Sequence, residues 1–253
     1  MNQGKKVALI TGANKGIGRE VARRLAQLGV SVYAGARDER RGRQAMKELS
    51  EQGVDVQFLQ LDVTNTDSVK AAANRIATEV GHLDILVNNA GIVCEAERPS
   101  KDRPSSQVKP SNISVEQFRE TYEVNVFGVV AVTQAMLPLL LKSGAARIVN
   151  LSSPLGSLSL RADAEHFISK VGLIAYGSSK AALNSVTLHY ANELRKAGIL
   201  VNAVNPGFVA TDLNSHSGVR SVEEGARIVI ELATLQDDGP TGIFKGDEGY
   251  VPW

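Results

Sequence analysis
The sequence predicts an α/β fold: a doubly wound, mostly parallel seven-stranded sheet with helices on both faces. Three observations predict it. Short β-branched runs bounded by turn residues recur along the chain. Between them lie longer segments whose apolar residues repeat at helical spacing. The two kinds alternate, and repeated β-α-β order implies parallel neighbours covered by helices. A length of 253 residues is enough for a substantial core, and α/β folds often use it as one domain, so residues 1–253 are read as one.

Strands are expected at 6–10, 30–34, 56–61, 83–87, 147–151, 199–204 and 242–245. The first helix, 18–28, follows the first strand directly and carries Val21, Leu25 and Leu28 on one stripe. A second spans 41–52, and a third, 67–80, opens on a Thr66/Asp67 cap. The fourth covers 115–141. The fifth, 177–196, puts Leu183, Val186, Tyr190 and Leu194 on one face, and the last runs over 222–235. One stretch breaks the alternation: 95–112 is polar, holds Pro99, Pro104 and Pro110, and reads as a long surface loop. There is no internal repeat, low-complexity tract or interdomain linker.

Composition removes several classes of function. Lys and Arg number 28 against 27 Asp and Glu, a formal charge of +1, which argues against nucleic-acid binding or a polybasic membrane surface. Hydrophobic residues at 43% and charged residues at 22% suit a globular chain, not a disordered one. The single cysteine, Cys94, excludes an internal disulfide and a Cys-rich metal site. His82, His166, His189 and His216 show no metal-ligand spacing, so no metal is expected. The first apolar run, Val7 to Ile10, is too short for a signal core. The greasiest stretch, 124–141, is broken by Asn125, Thr133, Gln134 and Pro138, so no membrane span is expected. A cytoplasmic protein is the expectation.

Directly after the first strand comes Thr11-Gly12-Ala13-Asn14-Lys15-Gly16-Ile17-Gly18, opening a helix. Glycines allow a tight turn and close backbone approach, and the helix start offers unpaired N–H groups to a pyrophosphate. The spacing is looser than the standard dinucleotide fingerprint, and a glycine turn without a ligand would look the same. The second strand ends on Ala36, where an acid would bind a free ribose 2′-hydroxyl. Lys15, Arg37 and Arg41 instead gather cations where a 2′-phosphate would sit, which points to NADPH. Alternatively, Arg37, Arg40, Arg41 and Arg43 decorate an exposed helix start. Asp62, after the third strand, is a candidate partner for the adenine.

Tyr176 and Lys180 lie four positions apart on a helix and so share a face. Tyrosine titrates near ~10, and an ammonium nearby favours the phenolate, which would make the pair a general acid/base. The same spacing also describes an ordinary helix face. Ser152 and Ser153 end the fifth strand, where open α/β sheets place their sites, although serines also end strands as turn formers. Asn88-Asn89-Ala90-Gly91 and Asn205-Pro206-Gly207 end the fourth and sixth strands on the same edge.

Taken together, these motifs resemble the short-chain dehydrogenases/reductases. Thr11-Gly12-x-x-x-Gly16-Ile17-Gly18, Asn88-Asn89-Ala90-Gly91, Val124-Asn125-Val126-Phe127-Gly128, Ser153-Pro154-Leu155-Gly156, Tyr176-x-x-x-Lys180 and Asn205-Pro206-Gly207 stand in that family's order over nearly the whole chain. Asn14-Lys15-Gly16, Ala36-Arg37-Asp38, Arg41-Gly42 and the tail from Gly239-Pro240-Thr241-Gly242 to Trp253 are similar to its NADPH-dependent carbonyl reductases. The resemblance implies a Rossmann-type sheet and a small-molecule aldehyde or ketone substrate. It implies that Tyr176 is the proton donor, that Lys180 lowers its pKa and holds the nicotinamide ribose, and that Ser153 stabilises the alkoxide. Ser153 is preferred to Ser152 because it holds the Ser-x-x-Gly position. Asn125 would position a water in a proton relay. Gly12, Asn14, Lys15, Gly16, Ile17, Gly18, Arg37, Arg41, Asp62 and Val63 would bind the adenine half of NADPH/NADP+. Asn89, Ala90 and Gly91 would line the ribose, and Pro206, Gly207, Val209 and Thr211 would orient the carboxamide.

Two departures stand out. The Ser153-to-Tyr176 interval is longer than most family members show and shorter than in the monomeric animal carbonyl reductases. Its added segment, 160–172, is expected at the substrate mouth, where it would obstruct the usual helix-to-helix tetramer and leave monomer or homo-oligomer open. The insert 95–112 is expected to form another wall of the pocket. An alternative function is an NADPH-binding sensor without turnover, but the intact Asn125, Ser153, Tyr176 and Lys180 speak against it. A serine hydrolase lacks a Gly-x-Ser-x-Gly elbow.

Overall fold
A computed structural model describes residues 5–95 and 109–253. The strands are β1 (Val7–Ile10), β2 (Ser31–Ala36), β3 (Gln57–Gln60), β4 (Ile85–Asn88), β5 (Arg147–Leu151), β6 (Leu200–Asn205), β7 (Phe244–Gly246) and β8 (Gly249–Tyr250). They form one sheet in the order β3-β2-β1-β4-β5-β6-β7-β8. Every pairing from β1 to β7 is parallel. Eight strands replace the expected seven because β8 turns back antiparallel on β7. Two residues at a Gly-containing turn carry no periodic apolar signal, so sequence reading misses it.

Successive residues of β1 face opposite ways, as the strand period of two requires. Ala8 and Ile10 enter one core with Val21 and Leu25 of α1 (Gly16–Gln27), Met46 and Leu49 of α2 (Glu39–Ser50), and Ile228 and Leu232 of α8 (Val222–Ala233). Val7 and Leu9 enter the other with Val69 and Ile76 of α3 (Thr66–Glu79), Val132 and Met136 of α5 (Gly128–Leu140), and Leu194 of α7 (Ile174–Leu194). This is the doubly wound arrangement. β1 pairs with β2 on one side and β4 on the other, so the chain direction switches there and a cleft opens at the strand C-termini.

Caps set the helix starts. Asp38 accepts from the Arg41 N–H at 2.9 Å, so α2 begins before the expected position 41. Asn65, not the expected Thr66/Asp67 pair, caps α3 by accepting from Ser68. α7 starts at Ile174, earlier than expected, which puts Tyr176 in its first turn. The expected helix 115–141 is α4 (Val115–Tyr122), a π turn at Glu123–Phe127, and then α5. That turn makes room for Asn125, which is buried. The run Val115–Leu140 is long and apolar enough to cross a membrane by length and composition, and half of its most apolar window is buried in the fold.

Within the expected insert 160–172 lie the end of a short helix, α6 (Leu158–Ala162), and a 3-10 turn at Phe167–Lys170. Ser159 ties α6 to the tail, its N–H and Oγ donating to the Trp253 carbonyl at 3.0 and 2.7 Å. Most of the expected loop 95–112 lies outside the described residues; its end holds a 3-10 turn at Pro110–Asn112.

Candidate active site
The ends of β1, β4, β5 and β6 open into one cleft of about 660 Å³. Gly12 and Gly16 hold left-handed backbone at φ +65° and +56°, which any larger residue would strain. A Cβ at Gly12 would lie 3.0 Å from the Ala90 Cα. Hydrogen bonds stitch the glycine turn to the Asn-Asn-Ala-Gly turn. Thr11 Oγ1 accepts from the Asn89 and Ala90 N–H groups, both at 3.0 Å, and Asn89 Nδ2 donates to the Thr11 and Gly12 carbonyls. Lys15, at the N-cap of α1, makes no side-chain cap bond, so first-turn N–H groups there suit an anion.

The expected binding residues divide. Gly12, Asn14, Lys15, Gly16 and Ile17 line the cleft, as do Arg37, Asp62 and Val63. Asn89, Ala90, Gly91, Pro206 and Thr211 line it as well, with Tyr176 and Lys180. Gly18 does not; a Cβ there would meet Asn89 Nδ2 at 2.3 Å, so this glycine serves close packing. Arg41 is off the wall, its side chain 67% exposed and 3.7 Å from Asp38. The cap that starts α2 turns Arg41 along the helix surface, so two of the three expected cations, not three, reach the cleft. Gly207 and Val209 are also off the wall. Gly207 takes φ +82° in a turn closed by the Asn205 side chain, and Val209 is buried.

Sequence reading misses Asp212, Arg19 and Glu95. Asp212 holds Lys15 Nζ at 2.5 Å and His216 Nε2 at 2.9 Å, and the lysine keeps its carboxyl below the ordinary range. Arg19 lines the cleft and pairs with Glu48 at 2.8 Å. Glu95 is buried beside Tyr176, its Oε1 accepting from the Tyr176 N–H at 2.7 Å.

At the inner end, Ser153 Oγ accepts from the Leu155 N–H at 3.2 Å and lies close enough to the Tyr176 phenol to draw its pKa down. Ser152 is buried and spends its hydroxyl on Asn184 at 2.6 Å, which separates the two serines physically. Lys180 is 4% exposed and donates to the Leu151 carbonyl at 2.7 Å, with Nζ 5.6 Å from the Tyr176 ring centroid. Burial pushes Lys180 down to about 8. Burial pushes Tyr176 up to about 12, with the neighbouring Ser153 hydroxyl opposing the rise and the Glu95 charge adding to it. Burial thus penalises both charged forms at once. Asn125 accepts from the Ile92 N–H at 2.9 Å and donates to the Ile92 carbonyl and Ser179 Oγ, each at 3.0 Å. Both carboxamide hydrogens are spent, so a water at Asn125 would need its second Oδ1 lone pair or its main-chain carbonyl.

Known proteins share this architecture. A family model described as short chain dehydrogenase matches residues 6–220. The chain is 35% identical to (-)-isopiperitenone reductase of Mentha piperita, over 96% of this chain and 97% of that one. It is 34% identical to carbonyl reductase [NADPH] 1 of Rattus norvegicus, over 100% of both. The NADPH-bound carbonyl reductase from chicken fatty liver superposes with a TM-score of 0.80 at 29% identity, covering 98% of this chain and 99% of that one.

Proposed function
The chain belongs to the short-chain dehydrogenase/reductase family, and from that premise we propose that it reduces an aldehyde or ketone to an alcohol with NADPH, Tyr176 giving the proton. One observation carries the reading: Tyr176, one helical turn from Lys180 and with Ser153 near its phenol, lines the cleft that also holds the glycine turn. When bound, NADPH supplies the hydride. Tyr176 gives its proton to the carbonyl oxygen, and its high pKa keeps that proton in place until charge develops on the substrate. Ser153 donates a hydrogen bond to that developing charge. Lys180 spends one donor on the Leu151 carbonyl and keeps two for the ribose hydroxyls. Asn125 holds the Ile92 main chain at the cleft edge.

The preference for NADPH rests on three features. β2 ends on Ala36, leaving no carboxylate at that position. The next acid, Asp38, is spent capping α2. Lys15 and Arg37 line the cleft with positive charge. The names of the rat and chicken relatives, both carbonyl reductases with NADPH, support the same choice.

Tyr176→Phe tests the reading. Turnover should fall by about 10²–10⁴-fold, the usual size of a general acid's contribution, while NADPH binding stays intact. Turnover within a few-fold of the parent would remove Tyr176 as the proton donor.

A further inference from the structure
Glu95 is a buried carboxyl group that the reaction above leaves unused. It is 2% exposed, an uncommon place for a glutamate. Oε1 accepts from the Tyr176 N–H at 2.7 Å, while Oε2 is buried without a hydrogen-bond partner among the described residues. The head of α7 explains the position. Leu173 at its N-cap has no polar side chain to accept a hydrogen bond, and no acidic residue stands in the first turn. Glu95 comes from the segment after β4 and supplies both an acceptor and a negative charge to that helix start. The same segment is pinned at Ile92 by Asn125, which also holds Ser179, whose hydroxyl donates to the Tyr176 carbonyl at 2.7 Å. Both ends of the Tyr176 main-chain unit are thus fixed from outside the ordinary helix ladder.

We propose that Glu95 is a positioning residue for Tyr176, fixing its main chain at the head of α7 and using its own charge to keep the phenol protonated. The proposal rests on the reading of Tyr176 as proton donor. A carboxylate beside a phenol disfavours the phenolate, and the upward displacement of Tyr176, caused first by burial, includes the Glu95 charge. Other groups surround the tyrosine. Lys180 approaches from its own helix, and Ser153 from the end of β5. Arg161 of α6 lies against neighbouring Gly177, its guanidinium donating to the Val171 and Leu155 carbonyls. Cys94 adjoins Glu95, and burial pushes its thiol up. Glu95 differs from all of these in accepting from the tyrosine's main-chain N–H while its charge acts on the same residue's phenol. Reduction uses the protonated phenol and alcohol oxidation the phenolate, so Glu95 adds to burial in raising the pH at which one gives way to the other.

The test separates charge from anchorage. Glu95→Gln keeps an acceptor oxygen for the Tyr176 N–H and removes the charge; Glu95→Ala removes both. The Tyr176 phenol is titrated by ultraviolet absorbance without cofactor, subtracting the same chain carrying Tyr176→Phe. Glu95→Gln should titrate at a pH lower by about one unit, the order expected for one nearby charge in a partly buried site. The alkaline limb of NADPH-dependent carbonyl reduction should fall by a similar amount, and the melting temperature should drop for Glu95→Ala more than for Glu95→Gln. An unmoved phenol titration in Glu95→Gln overturns the proposal and leaves Glu95 a helix cap. A titration that moves while the reduction limb stays fixed upholds the coupling and instead defeats the role of Tyr176 as proton donor.

Discussion
Lys15 and Lys180 line the same cleft, yet the side chain of the first is 56% exposed and the second is 4% exposed. At the glycine turn, Lys15 stands in water and pairs with Asp212, a carboxylate that is itself 51% exposed. Beneath Tyr176, Lys180 pairs with no carboxylate among the described residues; it donates to the Leu151 carbonyl, and burial pulls it down to about 8. An exposed charge can attract a phosphate and exchange partners at little cost. A buried one is fixed in place and is expensive to move. The outer end of the cleft is therefore built for binding a charged ligand reversibly, and the inner end for holding a proton donor still.

Substitutions can break that division, beginning with the largest effect. Ser153→Ala should lower kcat by about 10²–10³-fold without weakening NADPH binding, because it removes a donor aimed at developing charge. Ser152→Ala, which loses only the Asn184 bond, should instead lower the melting temperature and spare the pH profile. Equal kinetic loss in both would mean that the inner end acts only through packing.

Lys180→Met probes burial through pH. The parent lysine titrates near 8 when folded against an ordinary 10.5, so over that window the unfolded chain binds the extra proton. Unfolding free energy should therefore gain from this group as the pH rises from 8 to 10.5, and that gain is lost as the pH falls again. Denaturant melts of the parent should show the climb and those of Lys180→Met a flatter line. Parallel lines would place Lys180 in water.

At the outer end, replacing Lys15 and Arg37 together by alanine should raise KM for NADPH by up to about a hundredfold and leave KM for NADH nearly unchanged, since each lost phosphate contact is worth on the order of 1.4 kcal/mol, or about tenfold. Matching effects on both cofactors would make the two cations surface decoration. Asp212→Asn should act least, tightening NADPH by no more than about fivefold, because an exposed pair contributes roughly 0–1 kcal/mol. That gain should shrink as salt is added; a gain that persists in high salt would argue for a contact other than charge.

The strand positions and the residues gathered at the inner end were largely legible from sequence, because their signals are local. Tyr176 and Lys180 announce themselves by helical spacing, the glycine turn by its residue types, and the strand ends by the asparagines and serines that follow them. The outer end was legible only in part. Lys15 meets Asp212 across 197 positions, and no periodicity reports such a contact. Arg41 looked like a phosphate ligand until the Asp38 cap fixed where α2 begins. The π turn at Asn125 and the capping by Glu95 were hidden too, since each depends on how α4 and α7 pack rather than on which residues stand beside them.

The most direct test of the account is NADPH absorbance followed across a broad panel of aldehydes and ketones, each repeated with NADH and with the alcohol product identified. The account predicts stoichiometric NADPH oxidation with at least one carbonyl class and a much higher kcat/KM for NADPH than for NADH. Tight NADPH binding with no oxidation anywhere in the panel would contradict it and make the chain a sensor of the dinucleotide.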